Sequence, residues 1–288
     1  MVQVTMLNFM AGTDFIESLN TQKSWGITVL DLKNEIFGKS LIDLTVAEAK
    51  EAAKAIEDRE MSVYCFSTEL FQDDIEIGEK AFRAKSVDKI EQLLETASIL
   101  KPTVIRLLAA RSSKRSLFSD CTAYVKEHHP WLIPLYREAI DWISGHGYEV
   151  TIENECNQCI FSNPEEMISF FDELNRKDSV YLTYDVQNLW EMGTYPSLQV
   201  YEALAPYIGF YHVKGGQQGE NDNSLAWSSS LEDATWPVIP MTQQAVTDGV
   251  SPIICINPSH GVRKPGYNYD EVAKRDLDYL RKHIKGVC

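Results

Sequence analysis

The sequence predicts a (β/α)8 TIM barrel built as a single domain over residues 1–288. Short β-branched runs alternate with longer segments of helical period from one end of the chain to the other, and eight of each can be counted. No composition shift, linker or low-complexity tract breaks the series. A length of 288 residues suits one barrel or two smaller domains equally, so the unbroken alternation decides. A doubly wound open sheet is the other fold that such alternation permits. It loses support because no strand is followed by a Gly-x-Gly-x-x-Gly or Gly-x-x-x-x-Gly-Lys loop.

The first strand, Val2–Asn8, stands where a secretory leader would need a basic head and a longer apolar stretch; it has neither, and a cytoplasmic location is expected. Helix Asp14–Lys23 follows, then strand Ile27–Lys33. Helix Val46–Arg59 is announced by Thr45 with Glu48 three residues on, the spacing of a capping box. Strand Ser62–Phe66 leads to helix Lys85–Leu100, and strand Thr103–Leu108 to helix Trp131–Ser144. Strand Glu149–Asn154 precedes helix Pro164–Arg176, where Asn163 caps and Pro164 takes the first helical position. Strand Val180–Asp185 with helix Ser197–Ala205, strand Gly209–Val213 with helix Thr235–Thr247, and strand Pro252–Asn257 with helix Tyr269–Ile284 complete the series.

Composition narrows the partners. Lys and Arg number 27 against 42 Asp and Glu, and a net charge of −15 repels phosphate backbones and anionic lipid, so neither nucleic acid nor a membrane is expected. No run of 18 apolar residues offers a span. The six cysteines, scattered through a long chain, read as free thiols.

In such barrels chemistry sits at the C-terminal strand ends, so strands that finish in residues an apolar core would refuse are informative. The fifth ends Glu153-Asn154-Glu155, the sixth Asp185-Val186-Gln187-Asn188, the seventh His212-Val213-Lys214 and the eighth Asn257-Pro258-Ser259-His260. Glu153, Asp185 and His212 together form a mixed oxygen and nitrogen set suited to Mn²⁺, Mg²⁺, Co²⁺ or Zn²⁺. Each taken singly would also serve as a strand cap.

Those same residues resemble the motifs of the xylose isomerase-like barrel superfamily of sugar isomerases, epimerases and inosose dehydratases. Glu153-Asn154 is similar to its fifth-strand Glu-Asn motif, Asp185-Val-Gln-Asn188 with Gly193 to its sixth-strand Asp motif, and His212-Val-Lys214 to its seventh-strand His-x-Lys motif. The resemblance implies a divalent metal on Glu153, Asp185 and His212, with Asn257 in the fourth ligand position. It implies a small-molecule sugar or polyol as substrate, isomerase or epimerase chemistry through an enediolate, and a homo-oligomer. An inosose dehydratase-like lyase and a sugar-binding barrel without catalysis are the alternatives. Endonucleases of abasic DNA share the superfamily but are richer in metal-binding histidines, and this acidic chain has six His in all.

Two departures matter. Asn257 stands where the family has a glutamate that both ligates and moves protons; an amide oxygen can ligate a hard cation but carries no proton. Gly215 stands where the seventh-strand motif continues into Asp. Glu153 is the expected base, and Lys214, His260 and Glu155 are the candidates for returning the proton, with His260, three residues after Asn257, the best placed to substitute for the missing glutamate. Asn188, Lys214, Asn257 and Arg106 are expected at the substrate, although Arg106 also suits an ion pair with Glu153. Asp31, Lys33, Asn34, Glu35 and Glu69 are polar enough to contact a polyol and otherwise read as solvated loop ends, His128-His129 reads as a surface turn, and Cys156-Asn-Gln-Cys159 as a loop with two thiols.

Overall fold

A computed structural model describes residues 1–220 and 222–288. Eight parallel strands close on themselves: β1 (Gln3–Met6), β2 (Val29–Leu32), β3 (Ser62–Ser67), β4 (Val104–Leu108), β5 (Glu149–Glu153), β6 (Val180–Asp185), β7 (Ile208–Val213) and β8 (Ile253–Ile256). Each lies within two residues of its expected place. Their order is β1-β8-β7-β6-β5-β4-β3-β2. A parallel bridge from Leu7 to Asp31 joins the two ends, and the Thr5 hydroxyl donates to the Val29 carbonyl across the same seam at 2.7 Å. The structure is therefore a (β/α)8 barrel.

Capping fixes where the helices begin. Asp14 accepts from the Glu17 amide, Thr45 and Glu48 form the reciprocal box, and Asn163 accepts from the Glu166 amide ahead of Pro164. Each such cap stabilises its helix by about 0.5–2 kcal/mol. One expected helix, Lys85–Leu100, is divided: Glu79–Lys85 ends at Ser86, and Ile90–Leu100 begins afresh after a 3-10 turn. The reason is Ser86, whose hydroxyl accepts from the Phe71 amide at 3.2 Å and holds the backbone out of helical geometry. Helix Val272–His283 starts three residues later than expected, because Asn268 accepts from the Asp270 amide and sets a turn there. Helices Cys121–His128 and Val186–Glu191, and the hairpin of Gln217–Gln218 with Leu225–Trp227, are too short for a periodic signal.

Period two along each strand assigns the barrel interior. It places Val29 with Asp31, Val104 with Arg106, Thr151 with Glu153, Thr183 with Asp185, Phe210 with His212, and Cys255 with Asn257. Cys65, Val104, Phe210, Ile253 and Cys255 form a small apolar cluster separate from the large one that packs helices against the sheet. Thr183 donates to Thr151 at 2.7 Å in the same interior. The polar members of each pair stand one layer further toward the C-terminal ends.

Candidate metal centre and active site

At the floor of the barrel mouth, β5, β6 and β7 deliver Glu153, Asp185 and His212, each 1% exposed or less. A donor atom from each lies within 4.8 Å of the other two. Strand register is responsible for part of this: Asp185 pairs with His212, and His212 with Cys255, two residues before Asn257. His212 Nδ1 lies 3.3 Å from Glu153 Oε1 and 3.9 Å from Asp185 Oδ2. Asn257 Nδ2 donates to His212 Nδ1 at 2.8 Å and approaches Asp185 Oδ2 at 3.4 Å.

Two buried cations balance the two carboxylates. Arg106, 2% exposed, pairs with Glu153 Oε2 and donates to the Thr68 carbonyl at 2.9 Å. Lys214 Nζ lies 2.9 Å from Asp185 Oδ2 and donates to Asn188 Oδ1 at 2.7 Å. Burial alone would push the Glu153 carboxyl up, but Arg106, His212 and Lys214 outweigh it and hold it below the ordinary carboxylate range. For Asp185 burial wins and raises the carboxyl, with Lys214 opposing and Glu153 reinforcing. Burial would lower the Lys214 ammonium, yet Asp185, Glu153 and Glu155 raise it, so it stays charged.

Asp185 is held from behind as well. Its Oδ1 accepts from the amides of Gln187 and Asn188 at the start of the following helix, and Asn154 exchanges two hydrogen bonds of 2.8 Å with its backbone. These contacts explain the Glu-Asn dipeptide on β5: the glutamate enters the site, and the asparagine ties β5 to the end of β6. Gly215 also has a local cause. Any Cβ there would overlap the carbonyl oxygens of Ser229 and Ser230, so the loop that packs over the seventh strand end leaves no space for Asp.

Above this floor lies a cavity of about 180 Å³ lined by Leu7, Phe9, Lys33, Arg106, Glu153, Glu155, Lys214, Asn257, Pro258 and His260. It is smaller than the roughly 300–1,000 Å³ that drug-sized ligands occupy and suits a molecule with few heavy atoms. Of the expected residues, Glu153, Lys214, Asn257, Arg106 and His260 reach its wall. Asn188 does not: fully buried, it spends its amide on Lys214, Glu153 and the Asn154 carbonyl. His260 is held neutral, its pKa drawn down to about 3 by Lys214 and then by burial. Glu155 is raised by burial and by the neighbouring Glu153.

Several residues differ from their expected surroundings. Asp31 is not solvated; it is fully buried, because its place two residues after Val29 turns it into the barrel. Lys33 lines the cavity, the place from which a polyol contact would be made. His129 is buried too, its Nε2 3.2 Å from Glu76 Oε1, where Tyr124 and Ser112 also donate. Cys156 and Cys159 are both buried and free. Leu7 and Phe9, apolar residues after β1, gave no signal in the sequence that they would face a polar site.

The donor set suits a divalent ion chemically: two carboxylates and an imidazole, nearly inaccessible and already converged. His212 Nδ1 and Glu153 Oε1 point toward one another without a proton donor of their own between them other than the amides of Asn257 and Asn188. The carboxylate and histidine groups here are thus able to hold a metal. Lys214 shares Asp185 Oδ2 and would have to yield part of that contact.

Solved structures share this fold. D-psicose 3-epimerase, studied with D-fructose present, is 14% identical with a TM-score of 0.71, over 99% of this chain and 100% of that one. The IolI protein, whose structure holds a zinc atom, is 13% identical with a TM-score of 0.71, over 99% and 100%. The probable 3-DHS dehydratase AsbF from Bacillus anthracis, involved in petrobactin synthesis, is 13% identical with a TM-score of 0.71, over 97% and 98%. No curated protein sequence matches the chain. The family model described as xylose isomerase-like TIM barrel matches residues 21–283, and with the closed eight-stranded barrel this places the chain in the xylose isomerase-like TIM barrel family.

Proposed function

We propose that this chain is a divalent-metal-dependent isomerase or epimerase of a small sugar or polyol. The observation that carries the reading is the convergence of Glu153, Asp185 and His212 within 4.8 Å beneath a small polar cavity. A divalent ion held by these three residues would supply Lewis acidity that makes the hydrogen on the carbon beside a substrate carbonyl removable; Asn257, whose Nδ2 faces His212 while its Oδ1 faces Cys255, would join them only with its amide turned over.

Glu153 takes that proton, leaving an enediolate. Its Oε2 is turned by Arg106, which fixes the carboxylate plane and keeps it ionised. Lys214, at the cavity wall, donates to a substrate oxygen and offsets developing negative charge. Glu155 and His260 line the same cavity, and Glu155, whose carboxyl is raised by burial, returns the proton. Asn257 takes no part in proton transfer, so a mechanism with two glutamates facing each other across the substrate carbon has no second glutamate on β8.

That same absence favours a second reading, a lyase of the dehydratase kind, in which one base and an acid on a different group suffice. Small ketoses and inososes incubated with the Mn²⁺-loaded protein in D2O test both by NMR. Deuterium entering the carbon beside the carbonyl with retention of the carbon skeleton's oxygens supports the isomerase, and loss of water supports the lyase. No exchange and no product with any of them, in protein that binds the metal, would contradict both.

A further inference from the structure

One nitrogen of His212 is left over by the site it serves. The ring is fully buried. Its Nδ1 faces Glu153 and Asp185 and accepts from Asn257. A neutral imidazole that accepts at Nδ1 carries its proton on Nε2, and a buried N–H needs an acceptor. Among the described residues, Nε2 has no hydrogen-bond partner.

An acceptor in the same condition stands beside it. Asp31, on β2, is also fully buried; its Oδ2 accepts from the Cys255 thiol at 3.4 Å, and its Oδ1 has no partner. One potential ligand atom each of Asp31, His212 and Cys255 lies within 4.8 Å of the others, a separation that a turn of the Asp31 carboxylate would have to close for a hydrogen bond. The Phe210 ring packs edge-on against the imidazole, its centroid 4.4 Å away, and offers no acceptor atom.

We propose that Asp31 is a positioning residue for His212: Asp31 Oδ1 accepts a hydrogen bond from Nε2–H and so keeps Nδ1 unprotonated and turned toward Glu153 and Asp185. The inference rests on reading that site as a metal centre and adds the group that orients its only nitrogen ligand. Carboxylates behind ligating histidines fix both the tautomer and the ring orientation. The sequence sign is a lone Asp in the apolar run Val29-Leu30-Asp31-Leu32, on a strand that neighbours β1 and β3 in the barrel and reaches His212 across the interior. The single proton of the Cys255 thiol is shared between Asp31 Oδ2 and Asn257 Oδ1 and so leaves Asp31 Oδ1 open.

The test uses ¹⁵N-histidine-labelled protein, stripped with chelator, and long-range ¹H–¹⁵N correlation, with His212 assigned from a His212→Gln variant. Wild type is expected to show the Nε2–H tautomer. Asp31→Asn keeps an acceptor oxygen and is expected to retain it, whereas Asp31→Ala is expected to give a tautomer mixture, with circular dichroism confirming the fold of each. Calorimetric titration with Mn²⁺ should find Asp31→Ala about 10–100-fold weaker than wild type, the range typical for loss of such a partner. An Nδ1–H tautomer in wild type, or a His212 signal unchanged in Asp31→Ala, overturns the proposal. So does loss of a bound ion in Cys255→Ala, which would put a metal between Asp31, Cys255 and His212. If wild type binds no divalent ion the metal centre fails, while the tautomer measured in chelator still decides the role of Asp31.

Discussion

Replacing Arg106 with Met probes the charge balance on which the site depends. Arg106 and Glu153 are 2% and 1% exposed, and the guanidinium serves both Glu153 and the Thr68 carbonyl. Met fills much of the same volume but leaves Glu153 to be buried as an uncompensated charge or to take up a proton. Removing one partner of a buried pair costs about 3–5 kcal/mol. Lys214 and His212 still act on Glu153, so the lower end, about 3 kcal/mol, is expected. For a chain of this size that is a fall in melting temperature of roughly 6–12 °C.

The sign of the pH dependence follows. In the wild type Glu153 is held below its ordinary range, so its contribution is present above the ordinary carboxylate pKa and fades as pH falls through the lowered one. Without Arg106 burial dominates, the carboxyl rises, and the deficit of the variant grows with pH. Urea unfolding of metal-free Arg106→Met, Glu153→Gln and the double variant from pH 5 to pH 8 measures this. The double variant should recover a substantial part of the loss, because Gln needs no counter-charge. A single-variant loss below about 1 kcal/mol, or a double variant no better than Arg106→Met, would refute the reasoning.

Lys214→Met should bind Mn²⁺ at least about tenfold more tightly while losing turnover, because an ammonium 2.9 Å from Asp185 repels an arriving ion by several kcal/mol even at an effective dielectric of about 20; calorimetry that finds equal or weaker binding would contradict this. Away from the site, burial raises the Asp276 carboxyl to about 8 against the ordinary 3.8, so its stabilising state is complete below 3.8 and is lost as pH rises toward 8. Asp276→Asn keeps an acceptor for the Leu231 amide, now 2.7 Å from Oδ1, and should unfold at higher urea than wild type at pH 8, with a flatter profile by at most about 1.4 kcal/mol per pH unit. Parallel profiles for the two proteins would show that Asp276 is ionised in the fold.

The alternation of strands and helices was legible because barrel strands and covering helices each impose a period on apolar residues. Helix starts were legible where a capping side chain announced them, as at Thr45 and Asn163. Ser86 was not, since its hydroxyl bonds to Phe71 fifteen residues earlier, a contact that no local window contains. In the site, Glu153, Asp185 and His212 stood out as polar ends of apolar strands. Asp31 was equally polar, but its inward direction depends on strand parity that a loop reading overlooks. The cations that neutralise the pair were partly visible: Arg106 as a charge inside an apolar run, Lys214 only through a motif. Lys33 and Glu155 reach the cavity through loop geometry, which the sequence pattern does not determine.

The central claim, that Glu153, Asp185 and His212 hold a divalent ion for catalysis, is tested most directly by elemental analysis of the purified protein beside Glu153→Gln. The account predicts near-stoichiometric Mn, Co, Mg or Zn in the wild type and a marked fall in the variant. A wild type that stays metal-free after incubation with each of these ions would contradict it and leave a ligand-binding barrel whose buried carboxylates are satisfied by Arg106 and Lys214 alone.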